Sequence, residues 1–304
     1  MSRNPLVALA DKYSLWLWTH RVTDRLVHRA TSFLCRLSQE LRKAVHSCYH
    51  QDRVPWHALP MSLLDIARGI RFVTYYFGGA PLANRRYLRE YKRGGVEAGR
   101  AVVRERSGRA LRIAGAQLEV VGEENIPDGG CVLIYNEGSL VDLVLLHHVI
   151  HEHSDAGVGA EILKRIPWMT EVAHKMRVVI FERGNREAAD KMLEQVTSWV
   201  ADGAHLAMGG EGRLTKDGSV GHFKRGGCVV AIRARAPVVP VAMVGGPDMM
   251  PMGSLRLRPG RLTVAFGPPM STDGLSEDDA PEFAQQVREK VVELREQFRD
   301  PPAT

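Results

Sequence analysis

The sequence predicts an α/β protein with a mixed, largely parallel sheet carrying helices on its faces, preceded by an α-helical N-terminal region. Three observations carry this. Short apolar runs of strand length alternate with helical patterns through residues 116–304. The clearest run, Cys131 to Tyr135, is rich in β-branched residues and is bounded by a polar turn, as a buried strand would be. Before Gly115 the apolar residues instead recur every three or four positions, with no comparable strand pattern.

Of the 304 residues, 44% are hydrophobic and 25% charged, which is ordinary for a globular chain with a sizeable core. Cys35, Cys48, Cys131 and Cys228 form no CxxC pair. They read as reduced thiols, without disulfides or structural zinc, in a cytoplasmic protein. Charged Asp11 and Lys12 follow the first ten residues, so no signal peptide is expected, and no apolar stretch reaches the about 18 residues of a membrane span. The net charge of +6 is uneven. Residues 1–115 hold 21 Lys and Arg against 8 Asp and Glu, a net of +13, and the remainder hold 20 against 27, a net of −7. The division expected is a basic amphipathic helical region over 1–115 and an α/β domain over 116–304. A basic region of this kind suits an anionic surface.

From Leu15 to Cys48 the apolar spacing predicts a long amphipathic helix with Trp16 and Trp18 near its start. It could lie on a membrane or pack on the body with a solvated basic face. Pro55 and Pro60 break it, and Met61 to Ala83 forms a second amphipathic stretch ended by Gly78, Gly79 and Pro81. Arg85 to Arg112 carries ten basic residues against three acids and reads as a linker, a surface helix or a contact for lipid phosphates. Nucleic acid is excluded as a partner, since only Tyr87 and Tyr91 interleave the charges and no recognition motif appears. Strands are predicted over Gln117–Val121, Cys131–Tyr135, Val178–Phe181, His205–Met208, Val238–Val244 and Leu262–Phe266. A helix is expected from Arg186 to Asp202, closed by Gly203. Ser276 and Asp279 form a capping box for the last helix, whose buried stripe is Phe283, Val287, Val291, Leu294 and Phe298.

Chemistry is expected where the Cys131–Tyr135 strand turns into a second apolar run, Leu140 to Ile150. Asn136-Glu137-Gly138-Ser139 makes the turn, with Ser139 a candidate N-cap and Asp142 a second acid five positions after Glu137. Strand-to-helix corners of α/β proteins are where active sites sit. His147 and His151 stand one turn apart beyond it, and read as exposed polar residues at a helix end rather than as metal ligands.

Four blocks in order make the region from Glu119 to Met270 resemble the lysophospholipid acyltransferase family, typified by bacterial 1-acylglycerol-3-phosphate acyltransferase. A lead-in runs from Gly122 to Gly130. The family's Asn-His-x4-Asp block falls on Asn136-Glu137 through Asp142. The second block falls on Ile180-Phe181-Glu182-Arg183. The third falls on Gly210-Glu211-Gly212-Arg213-Leu214-Thr215, followed by Phe223-Lys224-Arg225-Gly226. The fourth is Val239-Pro240-Val241. The resemblance implies transfer of a fatty acyl group from acyl-CoA or acyl carrier protein to a hydroxyl (or amine) on a lipid acceptor, with no cofactor beyond that co-substrate and no metal. It places the protein peripherally on the inner face of an anionic membrane.

The departures bear on mechanism. Glu137 replaces the family's base histidine, and the phosphate-contacting arginine falls on Leu214, displacing the nearest cation to Arg213. The resemblance assigns Glu137 and Asp142 as catalytic, and Asn136, Ser139, Arg183, Glu211, Gly212, Arg213 and Lys224 as substrate contacts. Burial and the like charge of Asp142 would lift a carboxylate at 137 to about 6–7, a usable base. The alternative is a catalytically inactive homologue that binds lipid or acyl chains.

Overall fold

The structure, a computed structural model, describes residues 61–299 apart from Arg183 and Lys216. The helix predicted over Leu15–Cys48, with Trp16 and Trp18, lies outside the described residues.

Seven strands form one sheet: β1 (Ala116–Val121), β2 (Cys131–Tyr135), β3 (Ala156–Ala160), β4 (Val178–Phe181), β5 (His205–Gly209), β6 (Val238–Val244) and β7 (Gly260–Phe266). Their order is β1-β7-β6-β2-β5-β3-β4. Every pairing is parallel except β6 with β7, so the sheet is mixed and largely parallel, as predicted. Six of the seven strands match the apolar runs. β3 escapes the pattern because its sequence, Ala-Gly-Val-Gly-Ala, has almost no apolar bulk to signal it. At Gly159 space is short: a Cβ there would lie 2.8 Å from Leu163 Cδ1.

The eight α-helices among the described residues are α1 (Met61–Val73), α2 (Ala80–Ala114), α3 (Asp142–His148), α4 (Met169–Lys175), α5 (Arg186–Ala201), α6 (Gly226–Ala234), α7 (Gly246–Met249) and α8 (Ala280–Gln297). They cover both faces of the sheet. Alternation along β2 shows how: Val132 and Ile134 join α5, α6 and α8 in one core, while Cys131, Leu133 and Tyr135 join α1, α2 and α3 in another. A strand buried on both faces must be apolar throughout, which is why β2 is readable as a strand at all. Burial of each such side chain contributes about 1.5–3 kcal/mol. The capping box of Ser276 and Asp279 is present, opening a short 3-10 turn that runs into α8. Asn185 caps α5 by accepting from the Ala188 N–H.

α2 is not one rod. Gly94 and Gly95 leave helical geometry. Beyond them the chain doubles back, for Arg86 Nη2 lies 2.6 Å from Glu105 Oε2, and a Cβ on Gly99 would meet the Tyr87 ring at 2.6 Å. In a continuous helix residues 86 and 105 would stand about 28 Å apart at 1.5 Å per residue. Residues 80–93 and 96–114 are therefore two antiparallel arms. Ala110, Leu111 and Ala114 of the second arm are buried in the core of the body, and α1 is tied to it by the Leu257 N–H donating to Asp65 O and by Arg68 donating to Leu257 O. The packed unit thus begins at Met61, upstream of the boundary expected near Gly115.

Candidate active site

The carboxyl ends of β2 and β5, adjacent in the middle of the sheet, carry the candidate residues. Asn136 follows β2 directly and continues its ladder with a side chain. Its Nδ2 donates to Met243 O at 3.0 Å and its Oδ1 accepts from Met243 N at 2.8 Å. This two-way amide pair fixes where the chain leaves the sheet, so Asn136 positions the turn. Ser139, fully buried, donates to Met250 O at 2.9 Å and accepts from Val141 N at 3.2 Å. It is not the N-cap predicted for it. α3 starts only at Asp142, and the Ser139 hydroxyl instead closes the turn before it, because Met250 offers a buried carbonyl within reach.

The turn holds its own acid. Asp142 is fully buried, and its Oδ2 accepts the Gly138 N–H at 2.9 Å. The other oxygen, Oδ1, is buried with no hydrogen-bond partner among the described residues. It faces Gly246 at the start of α7, where a Cβ would come within 1.9 Å of it. Gly246 escaped the sequence reading; its signal was the Gly245-Gly246-Pro247 run immediately after β6.

Glu137, half-buried, points the other way. Its Oε2 lies 3.2 Å from where a Gly209 Cβ would sit, over the end of β5. Its carbonyl accepts from Thr215 N at 2.9 Å, which holds the loop 210–215 against the turn. Glu211 in that loop is buried, and neither of its carboxyl oxygens has a hydrogen-bond partner among the described residues. Burial pushes Asp142 up to about 7, with the Gly138 N–H pulling against it and the charge of Glu137 adding to it. Glu211 is likewise pushed up to about 7, by burial first and then by Glu137. Backbone groups of Glu211 itself, Gly221 and Glu137 oppose this, approaching outside hydrogen-bond geometry. Beneath them burial, Glu137 and Glu211 drive the Tyr135 hydroxyl well above its ordinary value. Two buried carboxyl groups, Asp142 and Glu211, thus stand either side of half-buried Glu137, whose charge acts on both. With both raised to about 7, Asp142 and Glu211 each hold a proton part of the time near neutral pH.

Cations stand at the rim. Lys224 and Arg213 are exposed, and Lys224 Nζ lies 3.6 Å from the Cβ position of Gly212. The Lys224 N–H donates to Gly210 O at 2.8 Å, fixing the start of the side chain. Arg183 lies outside the described residues. The histidines sit elsewhere, behind α3, and two are not the exposed residues expected. His147 and His151 are both half-buried, their rings stacked at 5.1 Å, with Tyr76 packed against His147. Desolvation pushes His151 down to about 3 and His147 below its ordinary value, so the pair is neutral.

Residues 117–244 match the family model described as Acyltransferase. Among curated relatives, a 1-acyl-sn-glycerol-3-phosphate acyltransferase alpha of Ovis aries is 29% identical over 183 residues, 59% of this chain and 62% of that protein. A 1-acyl-sn-glycerol-3-phosphate acyltransferase of Pseudomonas aeruginosa is 29% identical over 167 residues, 53% of this chain and again 62% of the relative. The chain thus spans somewhat under two thirds of these relatives. In fold it is similar to the crystal structure of the 1-acyl-sn-glycerophosphate acyltransferase of Thermotoga maritima. The TM-score is 0.62 at 21% identity, covering 79% of this chain and 99% of the other. The family resemblance and the fold class read from the sequence are borne out.

Proposed function

We propose, from the premise that residues 117–244 carry a domain of the acyltransferase family, that the protein moves a fatty acyl group from an acyl-CoA or acyl carrier protein thioester to a hydroxyl (or amine) acceptor, a lysophosphatidic acid-like glycerolipid foremost. The observation that carries the reading is the coupled carboxyl cluster of Glu137, Asp142 and Glu211 at the block-one and block-three positions. Glu137 takes the proton of the acceptor hydroxyl, whose oxygen attacks the thioester carbonyl carbon. The tetrahedral intermediate collapses, the carbon–sulfur bond breaks, and the proton on Glu137 passes to the leaving thiolate. Asp142 braces the turn that aims Glu137, and Arg213, Lys224 and Arg183 attract the anionic ends of donor and acceptor. Preorganised N–H donors are required at the carbonyl oxygen, as in any acyl transfer through such an intermediate.

The test is incubation with labelled acyl-CoA, or acyl carrier protein, and lysophosphatidic acid. Glu137→Gln keeps its fold and loses transfer by at least about 10²-fold, the scale of general-base catalysis. An unimpaired Glu137→Gln would overturn the base assignment. Glu137 in place of a histidine favours a second reading, an inactive lipid- or acyl-binding homologue, which any Asp142-dependent acylated product would remove.

Action at an anionic membrane surface belongs to the same proposal. Among the described residues no helix is long and apolar enough to cross a membrane. Leu82 near the start of α2, and Ile162 and Trp168 in the segment before α4, are 74%, 56% and 46% exposed. Asn84 joins the two segments by donating to Pro167 O at 3.0 Å. Apolar side chains beside Arg85, Arg86, Lys164 and Arg165 suit an interface. Each basic residue near such a surface contributes about 1 kcal/mol. Binding to anionic vesicles should weaken in high salt and fall with residues 1–60 removed, which leaves the packed unit from Met61 whole; a vesicle-indifferent full-length protein would refute it.

A further inference from the structure

At the other edge of the sheet, where β3 and β4 begin, a cavity of about 190 Å³ opens between the second arm of α2, the segment after α3 and the end of α4. It is lined by Arg100, Lys175 and Arg177, with Ser154, Asp155 and His151. The site described above stands at the carboxyl ends of β2 and β5, so this cavity is no part of it.

Its charge is unbalanced. Asp155 is the one carboxylate lining it, and that group is engaged: Oδ2 accepts the His205 N–H at 3.0 Å, and Oδ1 stands 3.9 Å from Arg100. Arg100 donates to Ser154 O at 2.8 Å. Lys175 and Arg177 make no ion pair among the described residues. Each is held over an aromatic ring instead, Lys175 Nζ 5.0 Å from the centre of Tyr91 and Arg177 Cζ 4.7 Å from that of Trp199. A ring fixes a cation in place without neutralising it. Arg177 also stands in the left-handed region at φ 53°. For a residue with a Cβ this costs on the order of 1–2 kcal/mol. The conformation ends α4, the Arg177 N–H donating back to His174 O at 3.2 Å, and so fixes where this side chain leaves the helix.

We infer that this cavity binds a phosphate group. Three cations against one partnered carboxylate favour a multiply charged oxyanion, and the volume equals that of about six liquid waters, room for a tetrahedral anion with a small substituent or part of its hydration. Guanidinium groups match its oxygens as paired donors. The ligand would join α2 to α4 and to the strand leading toward Arg183. The inference stands independently of the transferase reading.

The experiment is a thermal unfolding series of the full chain in phosphate-free buffer, adding inorganic phosphate or, separately, glycerol phosphate, with ionic strength held constant by sodium chloride. A rise in midpoint with inorganic phosphate assigns the free ion; a rise with glycerol phosphate alone assigns the head of a larger ligand. Either rise yields a dissociation constant that Lys175→Gln/Arg177→Asn weakens at least tenfold. Asparagine tolerates left-handed backbone, so this variant is expected to fold. Arg213→Gln/Lys224→Gln, at the rim of the other site, leaves the response intact. No rise with either compound, a rise that survives in Lys175→Gln/Arg177→Asn, or one abolished by Arg213→Gln/Lys224→Gln overturns the inference.

Discussion

Replacing Glu211 with glutamine tests whether the carboxyl cluster is as poorly solvated as the structure has it. Glu211 is 4% exposed and its pKa is raised from 4.5 to about 7. Because the folded state holds this proton more tightly than the unfolded chain, the unfolded state ionises first as pH rises. Stability from this group is therefore full below about 4.5, falls between about 4.5 and 7, and stays lost above. A shift of this size corresponds to about 3 kcal/mol at 1.36 kcal/mol per pKa unit, part of it shared with Glu137 through their coupling. Glutamine has nearly the same shape and does not titrate. Glu211→Gln should match the parent near pH 4 and exceed it by roughly 3 kcal/mol at pH 8. Asp142 still titrates in the variant, so its curve falls too, though less steeply. Urea unfolding at half-unit steps between pH 4 and 8 measures both curves. Parallel curves would refute the reasoning, because an acid ionised in both states cannot favour either.

Three further outcomes follow from named contacts. Asn136→Ala strands both backbone groups of Met243 in a buried place, and chemical denaturation should show a loss of about 2–4 kcal/mol. Gly246→Ala puts a methyl group against Asp142 Oδ1; overpacking of this kind costs roughly 1–3 kcal/mol, and transfer should fall with stability as the turn carrying Glu137 moves. Cys131 and Cys228 are fully buried and pushed up to about 12, so peptide mapping after thiol labelling at pH 8 should find both unmodified until the protein unfolds.

Most strands were legible because the central sheet is buried on both faces, which forces unbroken apolar runs on β2 and β6. β3 was not, since its Ala-Gly-Val-Gly-Ala sequence lacks the bulk that would have marked it, with tight packing only at Gly159. The ordered blocks located Glu137, Asp142 and Glu211. Their division of roles was not legible. That Asp142 turns back onto the Gly138 N–H while Glu137 leans over Gly209 depends on the approach of α7 and the 210–215 loop, both distant in sequence. The half-buried, stacked His147–His151 pair was read as exposed for a related reason: polar residues at a helix end are exposed unless another helix covers them, and Tyr76 comes from the segment joining α1 to α2.

Doubling α2 back on itself changes what its composition means. As a straight rod the 85–112 stretch would spread ten positive side chains over about 42 Å, mostly beyond one another's screening distance. Folded into two arms packed about 8–10 Å apart, the same charges occupy half the length and lie within about one Debye length of their counterparts. The hairpin therefore concentrates positive charge, offset at Arg89, Arg93, Arg100 and Arg104 by neighbouring carboxylates, with the cross-arm pair of Arg86 and Glu105 acting as a clasp. Dissolved counter-ions screen that charge, so added salt should tighten the hairpin while it weakens the clasp between Arg86 and Glu105.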